Sequence, residues 1–425
     1  MFVEKVEKLS PTQKVQFYQK LIKSNSQFKE LFKLAYDKNV VFNVRFTKKE
    51  IKDLVKQARD RELNFEKILK AIKYIKNIKQ RSKKQYIKRL TTKLSKDEMF
   101  IFLSVINKDF GIGYKQVCKI LNGELPYFPF QLAKKFELKE LKSKKVIIQP
   151  KLDGIRIIYN PVKQEFYTRN HEILTIDKYP NLRWIKKQFE ALIELYPELQ
   201  NYVFDGEMFA ENWDLTMHIV STEDKLPDEE VIKLKFYIFD IINRKNFENY
   251  KFTDIVDRSP FYKRLKMLNK IPKIRLIEVV DSFLLSNFQS EHLNEILNHY
   301  LKKGYEGVMI KQLKEPYYEG RKNAWLKLKP QNELEAVIID VIEGDGKYQG
   351  RLGAFVCKSK IKSKEVVFKV GSGMTDEQRL QFWLQREKLI GKIIDVKYQE
   401  LTKDLVPRFP TFVRLRIDKN EPNFE

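Results

Sequence analysis

The stretch QPKLDGIRIIYN, residues 149–160, decides how the chain is read. It sets Lys151 inside an apolar, β-branched run, where a lysine is out of place because its ammonium group seeks water. In an extended strand residues i and i+2 share a face, so Lys151 and Asp153 are expected to point together and Leu152 away from them. Gly154 leaves no Cβ in the way of approaching backbone or ligand. A lysine so placed becomes a nucleophile when neutral, and burial or neighbouring cations lower its pKa from about 10.4. The same residues would also fit a structural Lys–Asp pair on a sheet edge, so the companion motifs carry the decision.

FDGE (204–207) repeats the pattern, with Asp205 and Glu207 expected on one face about Gly206. YEGVMIK (305–311) sets Glu306 beside Gly307 and, by strict alternation, Lys311 on the opposite face and outside the chemistry. WLKLK (325–329) puts Lys327 and Lys329 on one face, two cations that repel unless an anion lies between them. Carboxylates for a divalent metal, paired lysines for a phosphate and one more lysine to attack it describe phosphoryl transfer through a covalent intermediate. The four histidines are scattered, with neither triad nor metal-ligand spacing.

Composition agrees with an anionic partner. The 425 residues carry a formal charge of +25 at pH 7, which favours nucleic acid, and 43% hydrophobic content is ample for two to four domains. Cys118 and Cys357 lie too far apart for a CxxC pair, so disulfides and structural zinc are not expected. MFVEKVEKLS lacks the apolar core of a signal peptide, and no run approaches about 20 apolar residues. The expectation is a soluble protein in a reducing interior, with no membrane partner.

Residues 12–110 contain neither glycine nor proline. Helix-start signals at Ser10/Gln13, Thr47/Glu50 and Ser95/Glu98 predict an all-α region over 1–122. Within it, KYIKNIKQRSKKQYIKRLTTK (73–93) has nine Lys or Arg and no acid, interleaved with Tyr and Ile, so one face could pack while the other lies on phosphates. From 145 the texture changes to short β-like runs separated by helices such as 181–197, predicting an α+β domain over 123–330 with a mainly antiparallel or mixed sheet. About five strands and one helix over 331–425, the helix opened by Thr375 and Gln378 and stopped by Gly391, suggest a small β-barrel of the OB type.

In order along the chain, K-x-D-G-x-R, D-G-E, F-D, E-G-x-M-x-K, W-L-K-L-K and a late R-x-D-K resemble the covalent nucleotidyltransferase superfamily and, within it, ATP-dependent DNA ligases. The N-terminal part, with KDFGIGYKQVCKILNGELPYFPFQLA leading into the lysine strand, is most similar to ligases of T-even-type bacteriophages. RNA-capping guanylyltransferases, RNA ligases and NAD-dependent ligases share some of this chemistry. The long helical region, the R-x-D-K end and the lack of a cysteine zinc module argue against them.

The resemblance implies a multidomain α+β enzyme with a helical DNA-binding domain (1–122), a nucleotidyltransferase (adenylation) domain (123–330) and an OB-fold domain (331–425). It would seal nicked double-stranded DNA in replication, repair and recombination, using ATP and Mg²⁺, with Mn²⁺ as a substitute. Lys151, assisted by Asp153, would attack the α-phosphate of ATP to form lysyl-AMP, and Lys327 and Lys329 would grip that phosphate. Gln149 would read the adenine edge, Phe239 would stack on adenine, and Arg156 would hold ribose or phosphate. Glu207 and Glu306 would bind the metal. Arg169 would meet the 5′-phosphate of the nick, and Lys83, Lys84 and Lys88 the duplex. Arg416, Asp418 and Lys419 would orient the leaving pyrophosphate. The enzyme is expected as a cytoplasmic or nucleoid-associated monomer, with a sliding clamp as a further partner. Three departures stand out: His171 where such ligases often have glycine, a short segment between FDGE and FYIFD, and a glycine-rich EGDGKYQGRLGAF that looks more like cellular ligases.

Overall fold

The computed structural model describes residues 2–286, 291–330, 332–416 and 421–422. The chain forms two compact units, one of residues 1–132, 154–279 and 314–322, the other of 133–153, 280–313 and 323–425. The division falls between Asp153 and Gly154. The opening stretch is therefore two strands, Val146–Lys151 and Ile155–Asn160, which belong to different sheets.

In the first unit the glycine- and proline-free span is helical, from Phe2–Lys8 to Tyr114–Ile120. The three helix-start signals are capping boxes, in which the hydroxyl accepts from the N3 amide while the N3 side chain accepts from the cap amide. The helix Lys96–Ile106 is apolar nearly all round, so it is buried and its neighbours pack about it. Glu98 both closes the Ser95 box and accepts from the Asn64 amide at 2.9 Å, which gives this buried carboxylate its partners.

The same unit contains a six-stranded sheet. Its order is Ile173–Leu174, Glu165–Thr168, Ile155–Asn160, Tyr202–Phe209, Lys235–Asn243 and Ile277–Val279, with only the last pair parallel. Ile157, Tyr159, Phe204, Phe236 and Ile238 cover one face and pack on the helix Arg183–Leu195. Alternation leaves Arg156, Glu207 and Phe239 on the other. Asp240, beside Phe239, forms a fully buried bidentate pair with Arg264, at 2.8 and 3.0 Å.

In the second unit the lysine strand Val146–Lys151 lies between Gly307–Gln312 and Phe283–Leu285, antiparallel to both, and Gly307–Gln312 pairs in turn with Gly320–Leu328. Val146, Ile148, Val308, Ile310 and Leu326 pack toward the helix Glu291–Lys302. Ile147, Gln149, Lys151, Met309, Trp325 and Lys327 therefore share the opposite face. The C-terminal sheet runs Lys364–Val370, Leu352–Ile361, Asn332–Glu343, Ile393–Tyr398 and Thr411–Arg416, all antiparallel.

Among the described residues the edge strands of this sheet meet through a bridge at Ser372 and Thr411, where the Phe412 amide donates to the Ser372 carbonyl at 2.8 Å. This contact brings together the two ends of the five-strand order among the described residues. The expected single helix is two, Asp376–Leu384 and Arg386–Leu389, opened by the foreseen Thr375–Gln378 box.

Asp240→Ala would leave Arg264 charged, buried and unpaired. The expected cost is about 3–5 kcal/mol of stability, measured by urea unfolding.

Candidate active site

In the second unit, the Glu306 carboxylate lies between two ammonium groups. Oε2 meets Lys151 Nζ and Oε1 meets Lys329 Nζ, with all three side chains mostly buried. The backbone explains the convergence. The Glu306 amide donates to the Lys151 carbonyl at 2.9 Å, and Gly307 lies opposite Lys151 in the ladder. Gly307 has φ +153°, and a Cβ there would overlap the Leu328 carbonyl oxygen, so only glycine lets the three strands close at this point.

Lys329 also donates to Gln399 Oε1 at 3.0 Å, tying the end of WLKLK to the C-terminal sheet. Burial and the neighbouring Lys151 cation push the Lys329 pKa down to about 8. Gln149 is buried and donates to Ser282 Oγ at 2.9 Å, and Lys327 stands opposite Met309.

Two alternation arguments fail. The strand ends at Lys151, so Asp153 lies beyond the regular extended segment. Regular alternation also breaks at Gly307, because Glu306 precedes the strand. The ladder pairs Lys311 with Ile147 and Trp325, which puts Lys311 on the face of Lys151 and Lys327. Its ammonium lies 4.1 Å from the Trp325 ring centroid.

In the first unit, Arg156 is the centre of a separate cluster. Its Nε and Nη2 donate to the two oxygens of Asp205 at 3.0 and 2.7 Å, Nη2 also to the Tyr317 hydroxyl at 3.2 Å, and Nη1 to the Gln131 carbonyl at 2.5 Å. The guanidinium carbon lies 5.3 Å from the Phe130 ring and 5.2 Å from that of Phe239. Burial opposes the charge, yet Asp205, with Tyr317 and Glu207, raises the Arg156 pKa above its ordinary value. Burial and Asp205 push the Tyr317 phenol well up, so it donates to Asp205, at 2.7 Å. In this arrangement Arg156, expected on ribose or phosphate, holds Asp205, Tyr317 and the Gln131 carbonyl. Glu207 is its direct cross-strand neighbour. A Cβ on Gly154 would overlap the Met208 carbonyl oxygen, so the glycine of KLDG serves backbone approach.

Arg169 is exposed on a turn whose geometry depends on His171. His171 takes the left-handed conformation, φ +63°, that glycine adopts freely. Its ring is stacked on Tyr127 at 4.4 Å and on Tyr114 at 5.0 Å, and Nδ1 accepts from the Phe128 amide at 3.1 Å. These contacts tie the turn to the helix Tyr114–Ile120, a role that a glycine could not fill. Burial, then Lys38, push the His171 pKa down to about 4, so it is neutral at pH 7.

Of the helical-region lysines, Lys84 and Lys88 are exposed. Lys83 is a correction. It is 5% exposed and donates to the Phe42 carbonyl at 2.8 Å, because the packed face of its helix includes Ile87 and Leu90. Arg416 pairs with Glu335 at 2.6 Å and with Asp395 at 3.2 Å. Asp418 and Lys419 lie outside the described residues. No group of three or more His, Cys, Asp or Glu among the described residues is disposed to hold a metal ion. No helix among them is long and apolar enough to cross a membrane.

The lysine–glutamate cluster lies inside a segment that is similar to known proteins. Residues 130–329 match the family model "ATP dependent DNA ligase domain" and residues 343–416 match "DNA ligase OB-like domain". The DNA ligase of Thermococcus fumicolans is 31% identical over 45% of this chain and 37% of its own length. That of Haemophilus influenzae is 25% identical over 63% of this chain and 85% of its own. The solved structure named Pmar-Lig_PreS3 has the same fold, with a TM-score of 0.78 at 24% identity over 97% of this chain and 98% of that one. Residues 130–329 and 343–416 are thus similar to the catalytic and OB-like domains of ATP-dependent DNA ligases. The chain spans little more than a third of the length of the first curated relatives it matches.

Because His171 is held neutral when folded, the unfolded chain binds more protons between about pH 6.5 and 4. The contribution of this group to stability is complete above the upper value and falls as pH drops toward the lower. His171→Asn keeps a residue tolerant of φ above zero and removes the titration. It should lessen the acid-side fall of the thermal midpoint across that window.

Proposed function

We propose that this chain is an ATP-dependent DNA ligase that works through a lysyl-AMP intermediate on Lys151. The observation that carries the reading is the contact of Lys151 and Lys329 with the one carboxylate of Glu306, inside the segment that matches the ATP-dependent ligase model. Lys151, once neutral, attacks the α-phosphate of ATP. A P–N bond forms, the P–O bond to pyrophosphate breaks, and pyrophosphate leaves with the electron pair. Glu306, already in contact with Nζ, is placed to receive the proton. Lys329 and Lys327 supply positive charge to the phosphate, and Asp153 lies close enough to Lys329 to favour its charged form. AMP then passes to the 5′-phosphate of a nick, and the 3′-hydroxyl displaces it.

Gln149 is assigned to the adenine edge and Phe239 to its face. The Phe239 ring is half-buried on the face of its sheet away from the core, which suits stacking better than a core role does. Arg169 is assigned to the nick phosphate. Arg156, which also holds Asp205 and Tyr317, is assigned to ribose or phosphate. Mg²⁺, or Mn²⁺ in its place, would neutralise charge on the phosphates when bound. Glu306 and Glu207 are the carboxylates assigned to hold it, and phosphate oxygens and water would complete its oxygen shell. Arg416, with Asp418 and Lys419, is assigned to pyrophosphate orientation, for which Arg416 must leave Glu335 and Asp395.

The proposed substrate is nicked duplex DNA in replication, repair and recombination, bound by a monomer, with a sliding clamp as a further partner, in the cytoplasm or nucleoid. Residues 1–122, 123–330 and 331–425 would act as DNA-binding, adenylation and OB-fold domains. Kinship with T-even-type phage ligases rests on the stretch 108–133, whereas the two curated relatives above are archaeal and bacterial.

Incubation with ATP and Mg²⁺ should add the mass of AMP to the wild type and nothing to Lys151→Ala, which should still bind a nicked duplex. An adduct persisting in that variant would remove the assignment. Lys84→Ala with Lys88→Ala should weaken duplex binding and flatten its salt dependence, with each lost phosphate contact lowering the slope by about 0.9. Lys83→Ala should instead lower the thermal midpoint with the slope unchanged.

A further inference from the structure

A groove of about 1080 Å³ in the helical region lies apart from the residues assigned to catalysis. The helix Phe65–Asn77 lends it Lys67, Lys70 and Tyr74, spaced i, i+3 and i+7 and so on one face. Arg61 adds charge from the preceding loop. On the other wall, the helix Gln80–Leu90 and the turn after it contribute Tyr86, Arg89 and Lys93. Glu66 pairs with Lys70 at 2.8 Å on the exposed surface, yet no acidic side chain lines the groove among the described residues. Tyr74 is 55% exposed, and its ring centroid lies 4.7 Å from that of half-buried Tyr86.

A basic face made only for duplex phosphates needs no aromatic floor, because paired and stacked bases hide their ring faces. Tyrosines inside a cationic groove match a strand whose bases are unpaired. Each ring can take a base face while lysine and arginine follow the phosphates. The groove is also separate from the surface assigned to duplex. Lys84 and Lys88 each stand two residues from Tyr86, about 200° around the helix, and so on its opposite face.

We infer that the groove between Tyr74 and Tyr86 binds single-stranded nucleic acid, which gives the helical region one face for duplex and a second for an unpaired strand. This rests on the DNA-ligase reading and extends it to substrates that carry a single-stranded flank.

Fluorescence anisotropy with labelled oligothymidylate and, separately, a fully paired nicked duplex tests it on the full chain. Tyr74→Ala removes an exposed side chain and should weaken oligothymidylate binding by about tenfold. It should leave duplex binding and AMP-adduct formation unchanged, and Tyr74→Trp should restore the single-strand affinity. Equal weakening of both DNAs would overturn the inference, as would no weakening of either. Polyglutamate that displaces oligothymidylate with equal effect from wild type and Tyr74→Ala would reduce the groove to a cationic surface open to acidic peptides. A wild type that binds nicked duplex but no oligothymidylate sinks the groove alone, whereas one that binds neither DNA and gains no AMP sinks the ligase reading beneath it.

Discussion

One carboxylate facing two ammonium groups is the constraint on which the lysine site depends. Glu306 contacts both Lys151 and Lys329, and removing it would leave two like charges facing each other in a mostly buried space. The backbone is fitted to that contact. Gly307 lets the strand ends close, and the hydrogen bond from the Glu306 amide to the Lys151 carbonyl sets the carboxylate at the end of the lysine strand. Such a cluster is poised for anions. A phosphate arriving between the lysines would add to the negative charge that Glu306 offers them.

The six-stranded sheet meets the problem of buried charge differently. Arg156, Asp205 and Tyr317 satisfy one another through short, directed hydrogen bonds, and Asp240 with Arg264 does the same one strand away. Breaking either pair would leave an uncompensated charge away from water. Glu207 and Phe239 lie on the face of this sheet that the core leaves uncovered.

The helical region and this sheet, which share a unit, are joined by polar and aromatic contacts. Glu319 receives Lys115 and the Tyr127 hydroxyl, and His171 stacks on Tyr114 and Tyr127. The turn bearing Arg169 is therefore fixed from the helical side. A histidine serves where glycine would satisfy the backbone alone, because its ring supplies the stacking contact while its φ stays above zero.

By itself the sequence determined the secondary structure wherever the local signal was strong. The capping boxes at Ser10, Thr47, Ser95 and Thr375, the glycine- and proline-free helical span and the main strands all arise from hydrogen bonding and periodicity within a few residues. The motif lysines and carboxylates were legible for the same reason, since ordered short patterns name them. Tertiary structure alone decided which of them meet. The pairing of Glu306 with both lysines, the burial of Lys83 under Phe42, the capture of Arg156 by Asp205, and the face on which Lys311 lies all depend on register and on partners far along the chain. So does the strand order of the C-terminal sheet. Alternation within one strand carries no information about where that strand ends or what pairs with it, and those are the facts that set the charges of this site.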